Sequence, residues 1–344
     1  MSKIPFNNCA EFPLILAPME DVSDPPFRQI CKHLKADVVI SEFISSEGLI
    51  REAMKSKKKL EFSQIERPFG IQIFGGDEEA MGAAAKIVDT VQPDFLDINF
   101  GCPVKKIVNK GAGAAVLKDL PLMVKLTKAV IQSTQLKVTV KTRLGWDEES
   151  INIMDVAEQL QDVGIAALTI HARTRAQLYK GESNWNYIAE VKNNPKIGIP
   201  IFGNGDINSP QKALEYKQKY QVDGIMIGRA AIGYPWIFRE VRHYFDCGEI
   251  LPPPTIQERI EVCKQHLLSS IEWKGEKVGI NEMKRHYTNY LKGLPHSKEV
   301  RQKLVRSNDL NEILDILQFI AVQFEHFVFS PTAIELIDYH QHCN

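Results

Sequence analysis

Paired cysteines are missing from these 344 residues: Cys9, Cys31, Cys102, Cys247, Cys263 and Cys343 are scattered, with no Cys-x-x-Cys among them. That excludes a zinc ribbon and a secreted disulfide framework, so reduced thiols, a cytoplasmic setting and no metal centre are expected. An excess of charge of one sign is missing too. Forty-two basic against 43 acidic residues give a net charge of −1, so no global field advertises a polyanionic partner. No apolar run approaches the ~20 residues of a membrane helix, and residues 1–8 show no basic stretch followed by an apolar one. Neither a membrane nor a protein partner is expected.

What the chain does have is rhythm. Short apolar runs recur eight times, at 13–18, 37–42, 69–74, 94–99, 137–142, 166–171, 199–204 and 223–228. Between them lie helix-start signals: Asp77 before Glu78-Glu79-Ala80-Met81, Asp119 with Pro121, and Ser209 with Pro210. Continuous Val- and Ile-rich strands alternating with helices imply a parallel sheet covered on its outer side. The eightfold count favours a closed TIM (β/α)8 barrel over an open doubly wound sheet. Three consecutive prolines, Pro252-Pro253-Pro254, then stop any helix and make a stiff connector. Beyond them strand signals vanish and helical patterns cover 256–273 and 310–327, with Leu314, Leu317, Ile320 and Phe324 at helical spacing. The reading is an α/β barrel catalytic domain over 1–245, a proline-rich linker over 246–254 and an all-helical domain over 255–344.

In a closed parallel barrel the chemistry sits at the carboxyl ends of the strands. Cys102, in Asp97-Ile98-Asn99-Phe100-Gly101-Cys102-Pro103, follows the fourth strand on a Gly/Pro-bounded turn, which predicts a thiol displayed at the surface as a proton donor. A small buried cysteine filling a gap is the bland alternative. Asn204-Gly205-Asp206 and Gly228-Arg229 end strands seven and eight, where barrels cradle phosphates with backbone N–H groups, and Arg229 adds forked donors. A nucleotide-like cofactor follows. Lys141 lies within an apolar strand, where an ammonium calls for an anion or an electron-rich acceptor, and Gln72 and His171 offer further polar edges. FMN fits this set, with a lysine near the pyrimidine side of the ring stabilising its reduced form.

The run Ala17-Pro18-Met19, the Cys102 segment followed by Lys105-Lys106 and Gly111-Ala112-Gly113, then Val140-Lys141-Thr142-Arg143, His171-Ala172-Arg173-Thr174, Asn204-Gly205-Asp206-Ile207 and Gly228-Arg229 resemble the tRNA-dihydrouridine synthases, most nearly the bacterial B-type branch. Lys284-Arg285-His286 and Lys292-Gly293 extend the likeness into the tail. The resemblance implies an FMN-dependent barrel with a helical tRNA-binding domain. It would reduce a D-loop uridine with electrons from NADPH or NADH. Carried over by position, Pro18, Met19, Gln72, Lys141, His171, Asn204, Gly205, Asp206, Gly228 and Arg229 hold the flavin and Cys102 is the acid. Asn99, Arg143 and Arg173 meet the uracil or the adjacent backbone, while Lys284, Arg285 and Lys292 meet tRNA. Departures are Glu20-Asp21, where the commoner form reads Ala-Gly, and Pro25, where a basic residue is frequent.

The tail offers its own support. Over 284–306 seven basic residues, Lys284, Arg285, Lys292, Lys298, Arg301, Lys303 and Arg306, face one acid, Glu299. His286, Tyr287 and Tyr290 lie among them, a mixture suited to phosphates and exposed bases; a solvated helix face is the other reading. Residues 105–110 read as a lid over the thiol. Two other functions stay open: a flavin barrel acting on a small pyrimidine-like molecule, as a dihydroorotate-type enzyme does, and a non-catalytic tRNA-binding chaperone.

Overall fold

The computed structural model describes residues 5–7 and 9–329; Cys343 and the last fifteen residues of the expected helical domain lie outside them. All eight apolar runs form strands. In chain order the strands are β1 (Leu14–Leu16), β2 (Val38–Ile40), β3 (Ile44–Ser45), β4 (Phe69–Phe74), β5 (Phe95–Asn99), β6 (Lys137–Arg143), β7 (Ala167–His171), β8 (Ile201–Asn204) and β9 (Gly224–Ile227). Every pairing among these strands is parallel. The order β2-β1-β9-β8-β7-β6-β5-β4 returns to β2 through a β2–β4 pairing, so the sheet closes into the expected TIM barrel. The unforeseen β3 extends only the top of β4, pairing Ile44 with Ile73 and Ser45 with Phe74. Two residues carry no readable period, which is why the sequence hid it.

Strand alternation decides what enters the barrel. Leu14, Leu16, Ile71, Ile73, Leu96, Ile98, Val140, Ile170 and Ile225 join the large core between sheet and helices. Their neighbours Ile15, Val38, Phe95, Ala167, Phe202 and Met226 form a separate interior cluster, capped by Phe6, which stacks on Phe202 and tilts against Phe95. With a side-chain period of two, Asp97 and Asn99 share the inner face with Phe95. Gln72, Lys141 and His171 are likewise inward, each beside an outward Ile or Val. The interior therefore runs from apolar at the amino end to polar at the carboxyl end.

The helix-start signals act as read: Asp77, Asp119 and Ser209 accept the N–H of Ala80, Leu122 and Lys212 and open helices Glu78–Thr90, Leu120–Ser133 and Pro210–Tyr220. The last barrel helix, Ile237–Cys247, runs into the connector and ends at Gly248, whose φ is 75°. Among the described residues four tail helices follow, Ile256–Lys274, Glu276–Tyr290, Lys298–Arg306 and Leu310–Gln323.

The tail is bolted to the barrel by buried polar groups. Phe27 of the barrel stacks on His266 and tilts against His286, and His286 Nδ1 accepts the N–H of Gly233. Lys274 pairs with Asp24 at 2.5 Å and also with Glu282; Asn289 donates to the carbonyl of Ile232. Burial pushes His266 down to about 4 and His286 well below the usual imidazole range, with Asp24 opposing at His266 and the Arg285 and Lys274 charges adding at His286. Both imidazoles are neutral when folded and take up protons on unfolding. Their contribution is complete above the ordinary value near 6.5 and is lost as pH falls toward 4, on the order of 3 kcal/mol for His266 alone. Urea midpoints measured from pH 7 to pH 4.5 should fall steadily; a flat profile would mean these rings are not held neutral.

Candidate active site at the carboxyl rim

Cys102 sits where β5 ends, on a turn fixed from below. Asn99 Oδ1 accepts the N–H groups of Gly101 and Cys102 at 3.0 and 2.9 Å. The surface display expected for the thiol is not what the fold builds, because Cys102 is only 7% exposed. Residues 113–118 fold back over it: Ala114 N–H donates to the Cys102 carbonyl, and a Cβ at Gly113, whose φ is 59°, would lie 2.9 Å from that oxygen. Burial raises the thiol above its ordinary range, against the pull of the Val104 N–H and the Arg143 charge. It is a protonated, sheltered thiol. The stretch read as a lid forms the helix Lys105–Val108, with Lys105, Lys106 and Lys110 exposed.

Beside that turn lies a strongly electropositive cluster. Lys141 is half-buried and pushed down to about 8 by burial, with Arg143 adding to the shift and Asp97 opposing it. His171, across from Asn204 in the β7–β8 register, lies well below the usual imidazole range through burial and the charges of Arg143, Lys141, Arg173 and Arg229. Gln72 is fully buried; its Nε2 donates to Asp97 and its Oε1 accepts from Asn99. Four cations around a neutral imidazole suit an anion. At the adjoining strand ends, a Cβ at Gly228 would meet Ala17 and Met19 at 3.4 and 3.6 Å, so Pro18, Met19 and Gly228 share one wall.

The Asn204-Gly205-Asp206 turn is fixed by its backbone, and a Cβ at Gly205 would lie 2.9 Å from that of Ser183. Gly205 has φ 134° and Asp206 φ 53°, conformations that favour glycine and tolerate aspartate. Asn204 donates to the Met226 carbonyl and Trp185 to that of Gly205. Asp206 takes Arg173 at 2.6 Å and Arg229 at 2.9 Å, one on each oxygen, and accepts the Ser183 N–H. Burial works against its charge, yet Arg173 and Ser183 hold the carboxyl below its ordinary value.

Several residues expected to meet substrate also have partners within the protein. Arg143 is buried; its Nε donates to the Gly101 carbonyl and its Nη1 to the carbonyls of Thr174 and Leu178, tying the Cys102 turn to the loop after β7. Arg173 is bonded to Asp206 and the Gly181 carbonyl, with Nη1 buried and lacking a hydrogen bond. Asn99 positions the thiol turn. In the tail, Arg285 bonds the carbonyl and carboxylate of Asp21 across the barrel–tail boundary, Lys284 bonds Asn308, and the Lys292 ammonium is buried. His286, Tyr287 and Tyr290, expected to face bases, are buried in the packing that joins tail to barrel. The helical period marked their shared face but not what covers it.

Three features escaped the sequence reading. Tyr179 lies between Arg143 and Arg229, 5.6 and 5.0 Å from their guanidinium carbons, and 6.3 Å from the His171 ring. Glu42, at the end of β2, accepts the Asp21 N–H and lies 3.5 Å from Lys59; burial pushes it up to about 7. Asp97 anchors Gln72. Asp21 itself adopts φ 54°, the conformation in which glycine is the usual choice, and Glu20 pairs with Lys59.

A closed parallel barrel with its polar groups gathered at the carboxyl rim defines a TIM-barrel enzyme. Solved structures of the same fold include 6-hydroxypseudooxynicotine amine oxidase from Pseudomonas geniculata, at TM-score 0.52 and 14% identity. The likeness covers 79% of this chain but about half of that one, 52%. Morphinone reductase matches at TM-score 0.50 and 12% identity, over 72% of this chain and 93% of its own. Sequence comparison is more specific. Residues 15–326 match the dihydrouridine synthase (Dus) model, and the chain belongs to that family. tRNA-dihydrouridine synthase B of Pseudomonas aeruginosa is 40% identical over 309 residues, 90% of this chain and 92% of the relative. The Proteus vulgaris protein of the same name is 38% identical over 92% of this chain and 96% of its own.

Proposed function

We propose that this enzyme reduces specific D-loop uridines of tRNA to 5,6-dihydrouridine, using FMN as cofactor and NADPH or NADH as electron donor. The observation that carries the reading is a sheltered, protonated thiol on a fixed turn beside the polar cluster of Lys141, His171, Gln72 and the Asp206 turn. The relatives named tRNA-dihydrouridine synthase support the substrate. The donor set supports the cofactor: an ammonium and a guanidinium cluster for an anion, a strand-end turn in which Gly205 adopts φ 134° for a phosphate, and buried Arg173 Nη1 as a further donor. The residues fit a flavin nucleotide. Pro18, Met19, Gln72, Lys141, His171, Asn204, Gly205, Asp206, Gly228 and Arg229 would hold it.

When bound and reduced, FMN would supply the hydride that C6 of the uracil takes up. Cys102 gives its proton to C5, and the raised thiol keeps that proton available through neutral pH. Lys141 would offset negative charge on the bound cofactor. Arg143 keeps the thiol turn and the loop after β7 in register. The uridine must leave its stack to reach the thiol, and backbone contacts elsewhere offset that cost. Exposed Lys298, Lys303 and Arg306 on the third tail helix, with Lys105, Lys106 and Lys110 beside the thiol, supply such contacts.

Purified protein should show an FMN spectrum, bleach with NADPH, and reoxidise with unmodified tRNA but not with free uridine or orotate. Reoxidation by orotate would move the reading to a small-molecule reductase, and a protein unable to take up flavin would end it. Replacing Lys303 and Arg306 with Gln should lower the slope of log affinity against log salt for tRNA by about 1 to 2, leaving NADPH oxidation unchanged. An unchanged slope would remove that helix from the RNA surface.

A further inference from the structure

Asp97 is a carboxylate inside the barrel to which the proposed reaction assigns no step. It is 1% exposed and lies on β5 between Gln72 of β4 and Thr139 of β6, its direct register partners on either side. Oδ2 accepts from Gln72 Nε2 at 2.6 Å and Oδ1 from Thr139 Oγ1 at 2.5 Å. Such a burial is tolerated only with good donors. The donors present also fix a direction. An ionised carboxylate only accepts, so Gln72 must turn its NH2 toward Asp97 and its carbonyl oxygen away. That oxygen receives Asn99 Nδ2 at 2.8 Å, which leaves Asn99 Oδ1 facing the N–H groups of Gly101 and Cys102.

The chain of hydrogen bonds is therefore polarised end to end. Reversing the Gln72 amide would set its NH2 against that of Asn99; reversing Asn99 as well would set an NH2 against two backbone N–H groups. No member can turn without leaving a buried donor unpaired, at about 1–3 kcal/mol each. Lys141, the register partner of Asn99, is the charged group near this carboxylate.

We propose that Asp97 is a positioning residue: its carboxylate sets the orientation of the Gln72 amide and, through Asn99, the backbone turn that holds the Cys102 thiol. The inference rests on the reading of Cys102 as the proton donor and of Gln72 as a flavin contact. One buried group thus aligns the cofactor side of the site with its acid. Burial pushes Asp97 up to about 6 against the pull of Gln72, Thr139 and Lys141, so its protonation below that value gives a handle on the chain.

The test is alkylation of Cys102 by iodoacetamide in the purified holoenzyme, followed by mass spectrometry of its peptide so that Cys9 and Cys247 do not confuse the count. Asp97→Asn is nearly isosteric but presents an NH2 to one of two donors. It should change the Cys102 alkylation rate several-fold and lower kcat for tRNA by at least tenfold while tRNA affinity stays within twofold. Asn99→Ala should produce the same change in alkylation, and adding Asp97→Asn to it should change the rate no further. Wild-type protein should show a step in Cys102 alkylation near pH 6 that Asp97→Asn abolishes. If Asp97→Asn fails to fold, Gln72→Leu cuts the same chain and should reproduce the alkylation change. Unaltered Cys102 reactivity in a folded Asp97→Asn or Gln72→Leu protein, or additive effects with Asn99→Ala, would overturn the proposal. Alkylation reads the turn and not turnover. A coupled but catalytically dispensable Cys102 would sink the proton-donor reading and leave the chain standing.

Discussion

Cys102→Ala lowers dihydrouridine formation by about 10²–10⁴-fold, the range expected when a positioned general acid is lost, while flavin content, NADPH bleaching and tRNA affinity stay near wild type. The separation follows from geometry. Asn99 holds the turn through the backbone N–H groups of residues 101 and 102, and Ala114 bonds the carbonyl of residue 102, so removing the sulfur leaves the loop in place. Single-turnover reoxidation of the reduced enzyme by tRNA is the decisive measurement. Because burial raises the thiol, its alkaline limb should lie above the ordinary thiol range. Wild-type turnover in Cys102→Ala would refute the proton-donor assignment and leave the site without an acid.

Arg28→Ala is expected to destabilise the fold by about 3–5 kcal/mol, the cost of breaking a buried pair from one side. Arg28 and Glu66 meet at 2.5 Å with almost no exposure. The guanidinium also donates to the carbonyls of Ser23 and Glu61 and lies 4.6 Å from the Phe69 ring centre. Removing it strands a carboxylate inside the protein together with two carbonyls. Urea unfolding followed by circular dichroism would read the loss, and Arg28→Met with Glu66→Leu should recover much of it because neither charge then remains buried. A loss below about 1 kcal/mol for Arg28→Ala would show that the pair is not anchoring the turn between Ser23 and the adjoining Asp24, which pairs with Lys274 of the tail.

The site was only partly legible in advance, and the division follows physical lines. Polar residues at strand ends stand out because a buried parallel strand is otherwise apolar, which is how Cys102, Lys141, His171 and Asp206 become candidates. Their partners do not. Asp97 lies within such a strand too, yet only the register placing it between Gln72 and Thr139 reveals its use. Arg143 and Arg173 read as substrate contacts because the family resemblance places them there; in the fold, carbonyl oxygens from neighbouring loops bond them. Arg285 illustrates the same competition, since an aspartate from a loop 264 residues away in sequence reaches it.

Local chemistry, acting over a few residues, determined the eight strands, the capped helices between them and the thiol's place at a strand end. Side-chain period and capping need no distant partner, so the sequence alone carries them. Which face of each tail helix meets the barrel, which cations remain in water, and how the Cys102 turn is buried and oriented were decided by tertiary structure. Those outcomes depend on pairs such as Phe27 with His266 and Asp97 with Gln72, where donor and acceptor or ring and ring come from separate elements. A helix displays the same periodic face whether protein or solvent covers it, and only packing makes that choice.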